Sequence, residues 1–276
     1  MRAERGKMKD LAHELAVPPG ARFKLAGIDP ADTHGVDKDG SEARLEKNHK
    51  RLSVLQYQLY AESQRALLVV LQGIDAAGKD GAIGHVMTGL NPQGVSVTAF
   101  KVPDGAEKRH DYLWRVHNAV PEYGKLGIFN RSHYEDVLVV RVHNLVPHAV
   151  WSKRYQQIND FERMLTENRV HVVKFLLYIS KEEQARRFRA RLEDKTKNWK
   201  FSEADVKERA YWDRYIEAYN DALLKCNTPQ APWYVIPSNK KWFRNLAVSD
   251  ILIHTLEGMK LKFPKAPADL SGLQFE

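Results

Sequence analysis

A chain of 276 residues, 43% hydrophobic and 10% aromatic, can bury a substantial core and is too apolar to be mostly disordered. Its longest apolar run, Ala66 to Leu71, is six residues against the ~20 of a membrane span, so no transmembrane helix is expected. The formal charge of +8 admits nucleic acid, an anionic membrane or a small polyanion as partner, while the single cysteine, Cys226, excludes an intramolecular disulfide and fits a reducing cytoplasm.

In chain order, the first residues MRAERGKMKDLAHELAV mix charges without an apolar stretch and do not read as a secretory signal. Residues 18 to 41 carry Pro18, Pro19, Gly20, Gly27, Pro30, Gly35 and Gly40, the composition of an irregular arm wrapping the surface. From Ser41 to Arg65, Leu45, Leu52, Leu55 and Leu59 recur at spacings of seven, three and four, which predicts one amphipathic helix. ALLVVLQG then reads as a buried strand running into a glycine loop and a helix. Further buried strands are expected at Val95 to Val102, Leu126 to Phe129, Val172 to Ile179 and Trp233 to Ile236, separated by helical or mixed segments. Such alternation predicts an α/β fold with a parallel sheet covered on both faces. Residues 1–276 read as a single domain, with 1–40 an N-terminal arm and 181–220 a helical excursion. Ligands collect at the carboxyl ends of such strands. The informative positions are therefore Gly73 to Lys79, Lys101 to Asp104, Asn130 to Glu135, Ser180 onward and Ser238 to Lys241.

GIDAAGK, Gly73 to Lys79, has the spacing of a phosphate-binding loop. Its glycines let backbone N–H groups turn toward phosphate oxygens, and Lys79 adds a point charge. The next residue is Asp80, where the usual pattern has a hydroxyl that ligates Mg²⁺. Two carboxylates, Asp75 and Asp80, beside phosphates call for a bridging divalent cation. Asp75 reads as the metal-associated residue. Asp80 has a second reading, favourable charge at a helix N-terminus. After the third strand come Asn130, Arg131, Ser132, His133, Tyr134, Glu135 and Asp136. Arg131 can reach a phosphate or pair with Glu135 or Asp136, and His133 reads as a packed histidine. Arg186, Arg187, Arg189, Arg191, Lys195, Lys197 and Lys200 crowd the excursion. Pairs such as Glu182–Arg186 and Glu183–Arg187 account for some of these charges, and the rest suit a lid over a transferring phosphoryl group. Asp194 among them either helps hold a metal or pairs with a neighbour.

GIDAAGKDG, FNRSHYEDVLV, ISKEEQARRFRARLED, NWKFSEADV, YWDRYIEAYNDAL and APWYVIPSNKKWFRNL, in that order, resemble the polyphosphate kinase 2 family from about Pro18 to Leu261. The resemblance implies a P-loop kinase three-layer sandwich with a central parallel five-stranded sheet and a helical lid, similar to thymidylate kinase. It implies reversible transfer of the terminal phosphoryl of inorganic polyphosphate to nucleotides with Mg²⁺, or Mn²⁺ in its place. Glu135 resembles the class III members, which take AMP and ADP to ADP and ATP; guanine nucleotides are further candidates. The implied catalytic set is Asp75, Lys79, Arg131, Glu135 and Arg191, and the implied metal set Asp75 and Asp194. Phosphate binding falls to Gly73, Ala76, Ala77, Gly78, Lys79, Asp80 and Gly81, with Lys101, Lys108, Arg115 and Arg187 in a basic channel. Nucleotide binding falls to Asn130, Arg131, Glu135 and Asp136. Asn130 stands where many members have an acid. A homodimer or homotetramer is expected, with no membrane and no specific nucleic acid as partner. Two rivals stay open: an ATP-dependent nucleoside monophosphate kinase, and a nucleic-acid-binding protein gripping a phosphate backbone with Trp114, Arg115, Trp199 and Lys200.

Overall fold

A computed structural model of the chain describes residues 10–18, 20 and 23–266. The first nine residues, Pro19, Ala21 and Arg22 of the expected arm, and the side chain of Lys200, lie outside the described residues. Strands β1 (Ala66–Gln72), β2 (Val95–Ala99), β3 (Leu126–Asn130), β4 (Val170–Tyr178) and β5 (Trp233–Pro237) form one parallel sheet in the order β2-β3-β1-β4-β5. β1 is central. Leu67, Val69 and Leu71 enter the core on one face, and Ala66, Leu68 and Val70 the core on the other. That is why its sequence is apolar without alternation, each buried Leu or Val contributing about 1.5–3 kcal/mol.

The second strand stops at Ala99 rather than Val102. Its neighbour β3 ends at Asn130, the partner of Ala99, so after Phe100 N–H donates to Asn130 O (3.1 Å) no ladder remains. Val102 then stands in solvent.

Helices α1 (Ser41–Glu62), α2 (Lys79–Val86) and, last in the chain, Lys241–Gly258 cover one face of the sheet; α3 (Arg154–Glu167) and the helix Trp212–Lys225 cover the other. Between them in sequence lie α4 (Lys181–Glu193) and α5 (Glu203–Glu208), so Trp212–Lys225 is α6 and Lys241–Gly258 is α7. Helix α1 buries Leu52, Leu55 and Leu59 and ends three residues before Arg65, where Ser63 turns left-handed (φ 50°). It is bolted to α7 by Asn48, which donates to Ser249 Oγ (2.8 Å), and by the Arg44–Asp250 ion pair. Ser180 starts α4 as its N-cap, its hydroxyl accepting from Glu183 N–H (3.1 Å).

The N-terminal arm does wrap the sheet. Ala16 bridges antiparallel to Tyr234, covering the exposed edge of β5, and Asn239 N–H donates to Pro30 O (3.0 Å). No helix among the described residues is long and apolar enough to cross a membrane.

Candidate active site

The glycine loop leaves the central strand through two positions that only glycine fills. At Gly73 (φ +154°) a Cβ would lie 2.8 Å from Leu177 O; at Gly78 (φ +101°) it would lie 2.0 Å from Arg244 Nη1. Lys79 opens α2 and folds back over the loop, its Nζ donating to Gly73 O (2.6 Å). Burial, and then the nearby Arg131 charge, lower its pKa to about 8 against the pull of Asp75, Glu135 and Asp80. An ammonium desolvated in this way is poised for an anion. Gly78→Ala is expected to cost about 1–3 kcal/mol of stability from strain at this φ, and to weaken anion binding at the loop by displacing Arg244. A thermal melt and a binding titration check the two effects.

At the end of β3, Arg131 takes a left-handed conformation (φ 63°), fixed by its N–H donating to Leu71 O (3.0 Å). This turns the guanidinium back across the loop. It meets Asp75 Oδ1 at 2.6 Å and Glu135 Oε2 at 3.5 Å. Of its two expected pairings, Glu135 is met and Asp136 is not. Gln72, fully buried at the end of β1, holds Glu135 in place: with its amide oriented to satisfy both ends, it donates to Glu135 Oε1 (2.9 Å) and accepts from Ser132 N–H (3.1 Å). Burial raises the Glu135 pKa, while Arg131 and Lys79 oppose the shift.

Two cavities meet at Asp75 and Arg131, which line both. One is a groove of about 830 Å³ running past the loop between α4, α5 and α7, its walls carrying nine Lys or Arg and four Asp. The other is a small pocket of Glu135, Leu138, Trp212, Tyr215 and Tyr219 beside Gly73. Burial, and then the Glu135 charge, keep Tyr219 protonated.

A family model described as Polyphosphate kinase 2 matches residues 35–264. This chain belongs to the polyphosphate kinase 2 family. It is 53% identical over 252 residues to the AMP/ADP-polyphosphate phosphotransferase of Meiothermus ruber, covering 90% of this chain and 94% of that one. It is 45% identical over 228 residues to the ADP-polyphosphate phosphotransferase of Rhodopseudomonas palustris, covering 78% and 79%. The crystal structure of polyphosphate kinase 2 from Arthrobacter aurescens TC1 superposes with a TM-score of 0.92 at 46% identity, covering 95% and 94%. The α/β sandwich around a five-stranded parallel sheet is thus the fold of this kinase family.

Within this kinase framework the expected site residues divide. Asp75, Lys79, Arg131, Glu135 and Arg191 do converge on the cavities, as do Ala76, Gly78, Asp80, Gly81 and Lys101, whereas Ala77 is packed in the core. Asn130 donates to Asp80 Oδ1 (2.9 Å) and forms groove wall, away from the aromatic pocket. Asp136 is a correction. It pairs with Arg154 (2.8 Å), and burial pushes its pKa up to about 6, so it braces the turn and lines neither cavity.

Arg187 lines the groove as expected, but with its donors engaged by the protein itself. Its donors go to Glu183, to Ala76 O (2.9 Å), Ala77 O (2.8 Å) and Ser238 O, tying α4 to the back of the loop. Arg115 donates to Lys101 O (2.8 Å) and Glu107, and Lys108 stands exposed on the turn Glu107–Arg109; neither lines the groove, because the chain leaves the sheet at Phe100. Asp194 closes its own turn on Thr196 and Lys197, as its pairing reading has it, and also lines the groove. Arg186 pairs with Glu183 (2.6 Å) and not with Glu182.

The residues that sequence reasoning missed are Trp212, Tyr215 and Tyr219 in the pocket and Arg244 in the groove. Their spacing in YWDRYIEAY, Tyr211 to Tyr219, was the available signal, since residues 212, 215 and 219 share one helical face. Lys241, at a flagged strand end, lines the groove with Arg244. Burial, then Arg187, lower the pKa of both, that of Arg244 to about 10, a crowding of charge that a polyanion relieves.

The oxygen donors fit Mg²⁺. No group of three or more His, Cys, Asp or Glu among the described residues could cage a metal. Asp75 and Asp80 line the groove beside Lys79, a pair that would suit Mg²⁺, which commonly takes one or two carboxylates with substrate phosphates and water completing its shell.

Proposed function

We propose that this chain transfers the terminal phosphoryl group of inorganic polyphosphate to AMP and to ADP, giving ADP and ATP, and runs the reverse reaction. The observation that carries the reading is the meeting of a long basic groove with a small aromatic pocket at Asp75 and Arg131. A polyanion of about one charge per phosphate suits the first, and the aromatic rings of the second, about 30 Å³ as it stands, offer a base a face to stack on at its mouth. The M. ruber relative, at 53% identity, is named for the same donor and acceptors.

In the reaction an oxygen of the acceptor nucleotide's terminal phosphate forms a bond to the end phosphorus of the polymer. The bond from that phosphorus to its bridging oxygen breaks, leaving the polymer one unit shorter. Lys79 and the loop amides hold the donor in line, and Arg131 spans donor and acceptor and stabilises charge on the group in flight. Glu135 orients Arg131. Arg191, facing Asp205 (3.8 Å) across α4 and α5, closes the groove against water. Asp75 with Asp80 would hold Mg²⁺, or Mn²⁺ in its place, which would supply charge neutralisation for the phosphates.

Trp212→Ala is expected to raise the nucleotide KM about 10-fold, in line with the ~1–3 kcal/mol that base–aromatic stacking contributes. Initial rates at fixed polyphosphate measure this. The reading extends to guanine nucleotides as weaker acceptors, to a homodimer or homotetramer, and to the cytoplasm.

The test is purified protein with Mg²⁺ and AMP, ADP or GMP, with polyphosphate, with ATP or with neither, products followed by chromatography, chelator added in parallel and oligonucleotide binding titrated against salt. ADP and ATP that appear only with polyphosphate and vanish with chelator support the reading. Product from ATP plus AMP alone replaces it with a nucleoside monophosphate kinase. Salt-sensitive oligonucleotide binding without turnover would replace it with a nucleic-acid-binding protein; Trp114 stacked on His110 (4.2 Å between ring centroids) and Arg115 turned inward count against that.

A further inference from the structure

Behind the site, away from both cavities, four polar side chains form a network in the core. Glu162 of α3 is 1% exposed, Lys174 of β4 0%, His133 1% and Tyr134 0%. Glu162 Oε1 accepts from Tyr134 OH (2.8 Å) and lies 3.2 Å from His133 Nε2. Lys174 Nζ donates to Glu162 Oε2, to Tyr134 OH (2.9 Å) and to Cys226 O (2.7 Å). Burial opposes ionisation of Glu162, but Lys174 and His133 hold its carboxyl below the usual range.

An ion pair this deep is a poor source of stability, because apolar residues of similar volume at such sites are often neutral or stabilising. Its location is more telling. His133 and Tyr134 are the core-facing half of the turn His133–Asp136, whose other half carries Glu135, and Arg131 lies just ahead of it in its left-handed conformation. Ser132 Oγ accepts from Tyr134 N–H (3.2 Å), so a shift of the tyrosine moves the backbone at Ser132 as well. Charge-assisted hydrogen bonds are short and directional, whereas apolar packing alone lets a turn slide.

We propose that Glu162 and Lys174 are positioning residues: through His133 and Tyr134 they hold the 131–137 turn in the one arrangement that sets Arg131 and Glu135 on the reacting phosphates. The kinetic consequence rests on the function proposed above; the structural consequence does not.

Glu162→Leu/Lys174→Met removes both charges together and leaves no buried ion without its partner. Tyr134→Phe is the second variant. It keeps the ion pair and the ring, and so keeps the fold if the double variant does not form. Two readouts are needed. In hydrogen exchange, both variants should lose protection at the amides of 131–137 while β4 stays protected. In kinetics, the double variant should lose about 10-fold or more in kcat with nucleotide and polyphosphate KM little changed and a melting temperature near wild type, because misplacement is felt in the transition state. Tyr134→Phe should show a smaller loss of the same kind.

Wild-type exchange at 131–137 in Tyr134→Phe, and in the double variant if it folds, overturns the proposal. So does a kcat that returns to the wild-type value whenever the melting temperature does. If wild-type protein fails to turn over polyphosphate, the functional reading falls, and the exchange measurement alone then upholds or overturns the positioning.

Discussion

Replacing Arg131 by alanine is expected to lower kcat by about 10³-fold, the scale on which an arginine acts on a transferring phosphoryl group. The guanidinium lies where the two cavities meet, 2.6 Å from Asp75 and 3.5 Å from Glu135, and it is the cation common to both. Its removal leaves Asp75 and Glu135 facing incoming phosphates without the charge between them, so KM for both substrates should rise as well. Arg131→Lys should recover little. A lysine keeps the charge but cannot span two carboxylates with a planar fork. Initial-rate kinetics with each substrate varied in turn decide the point; an alanine variant within a few-fold of wild type would remove Arg131 from the catalytic set. Glu135→Gln keeps the bond to Gln72 while losing the charge that pairs with Arg131, and its effect should fall mainly on kcat.

The second large effect is at Lys79. Lys79→Ala should cut turnover about 10²–10³-fold, the usual consequence of deleting one preorganised donor to a developing charge. The same residue makes a pH prediction. Because burial lowers its pKa to about 8 from an ordinary 10.5, the alkaline limb of kcat/KM, which reports the free enzyme, should begin near pH 8. Bound phosphates favour the ammonium, so the corresponding limb of kcat should lie at higher pH. Stability moves the other way. Below about pH 8 both folded and unfolded chains carry the proton; between about 8 and 10.5 the unfolded chain binds more, so this residue's contribution makes the substrate-free fold more stable as pH rises through that window. Lys79→Met should flatten both dependences. A pH–rate profile and melts across the window measure them, and an alkaline limb unchanged in Lys79→Met would assign it to another group.

All five strands were legible in the sequence, four because a strand buried on both faces must be apolar throughout, whereas the end of the half-exposed edge strand β2 was not, and such runs alternating with helical segments admit little besides a parallel sheet. The glycine loop was legible for a related reason. Backbone conformations such as Gly73 at φ +154° and Gly78 at φ +101° exclude other residues, so local geometry writes itself into residue type. The arginines were legible as a set and not one by one. Arg187 and Arg191 are four residues apart on one helix and both line the groove, yet the donors of the first are consumed by Glu183 and loop carbonyls while the second faces Asp205 (3.8 Å). Asp136 and Glu135 are neighbours in sequence and belong to opposite sides of a turn.

Lys174 shows the same limit. A charge inside a run like VHVVKFLLY must have a partner, which the sequence does say; that the partner is Glu162, and that together they brace the turn bearing Arg131, depends on a helix packed across the sheet. The sequence by itself therefore determined what local geometry and burial dictate: the sheet, the loop, the identity of its lysine and the chemistry of phosphate. Only the tertiary structure decided which charges face the cavity and which face each other, because that depends on how separate elements pack and on no spacing along the chain.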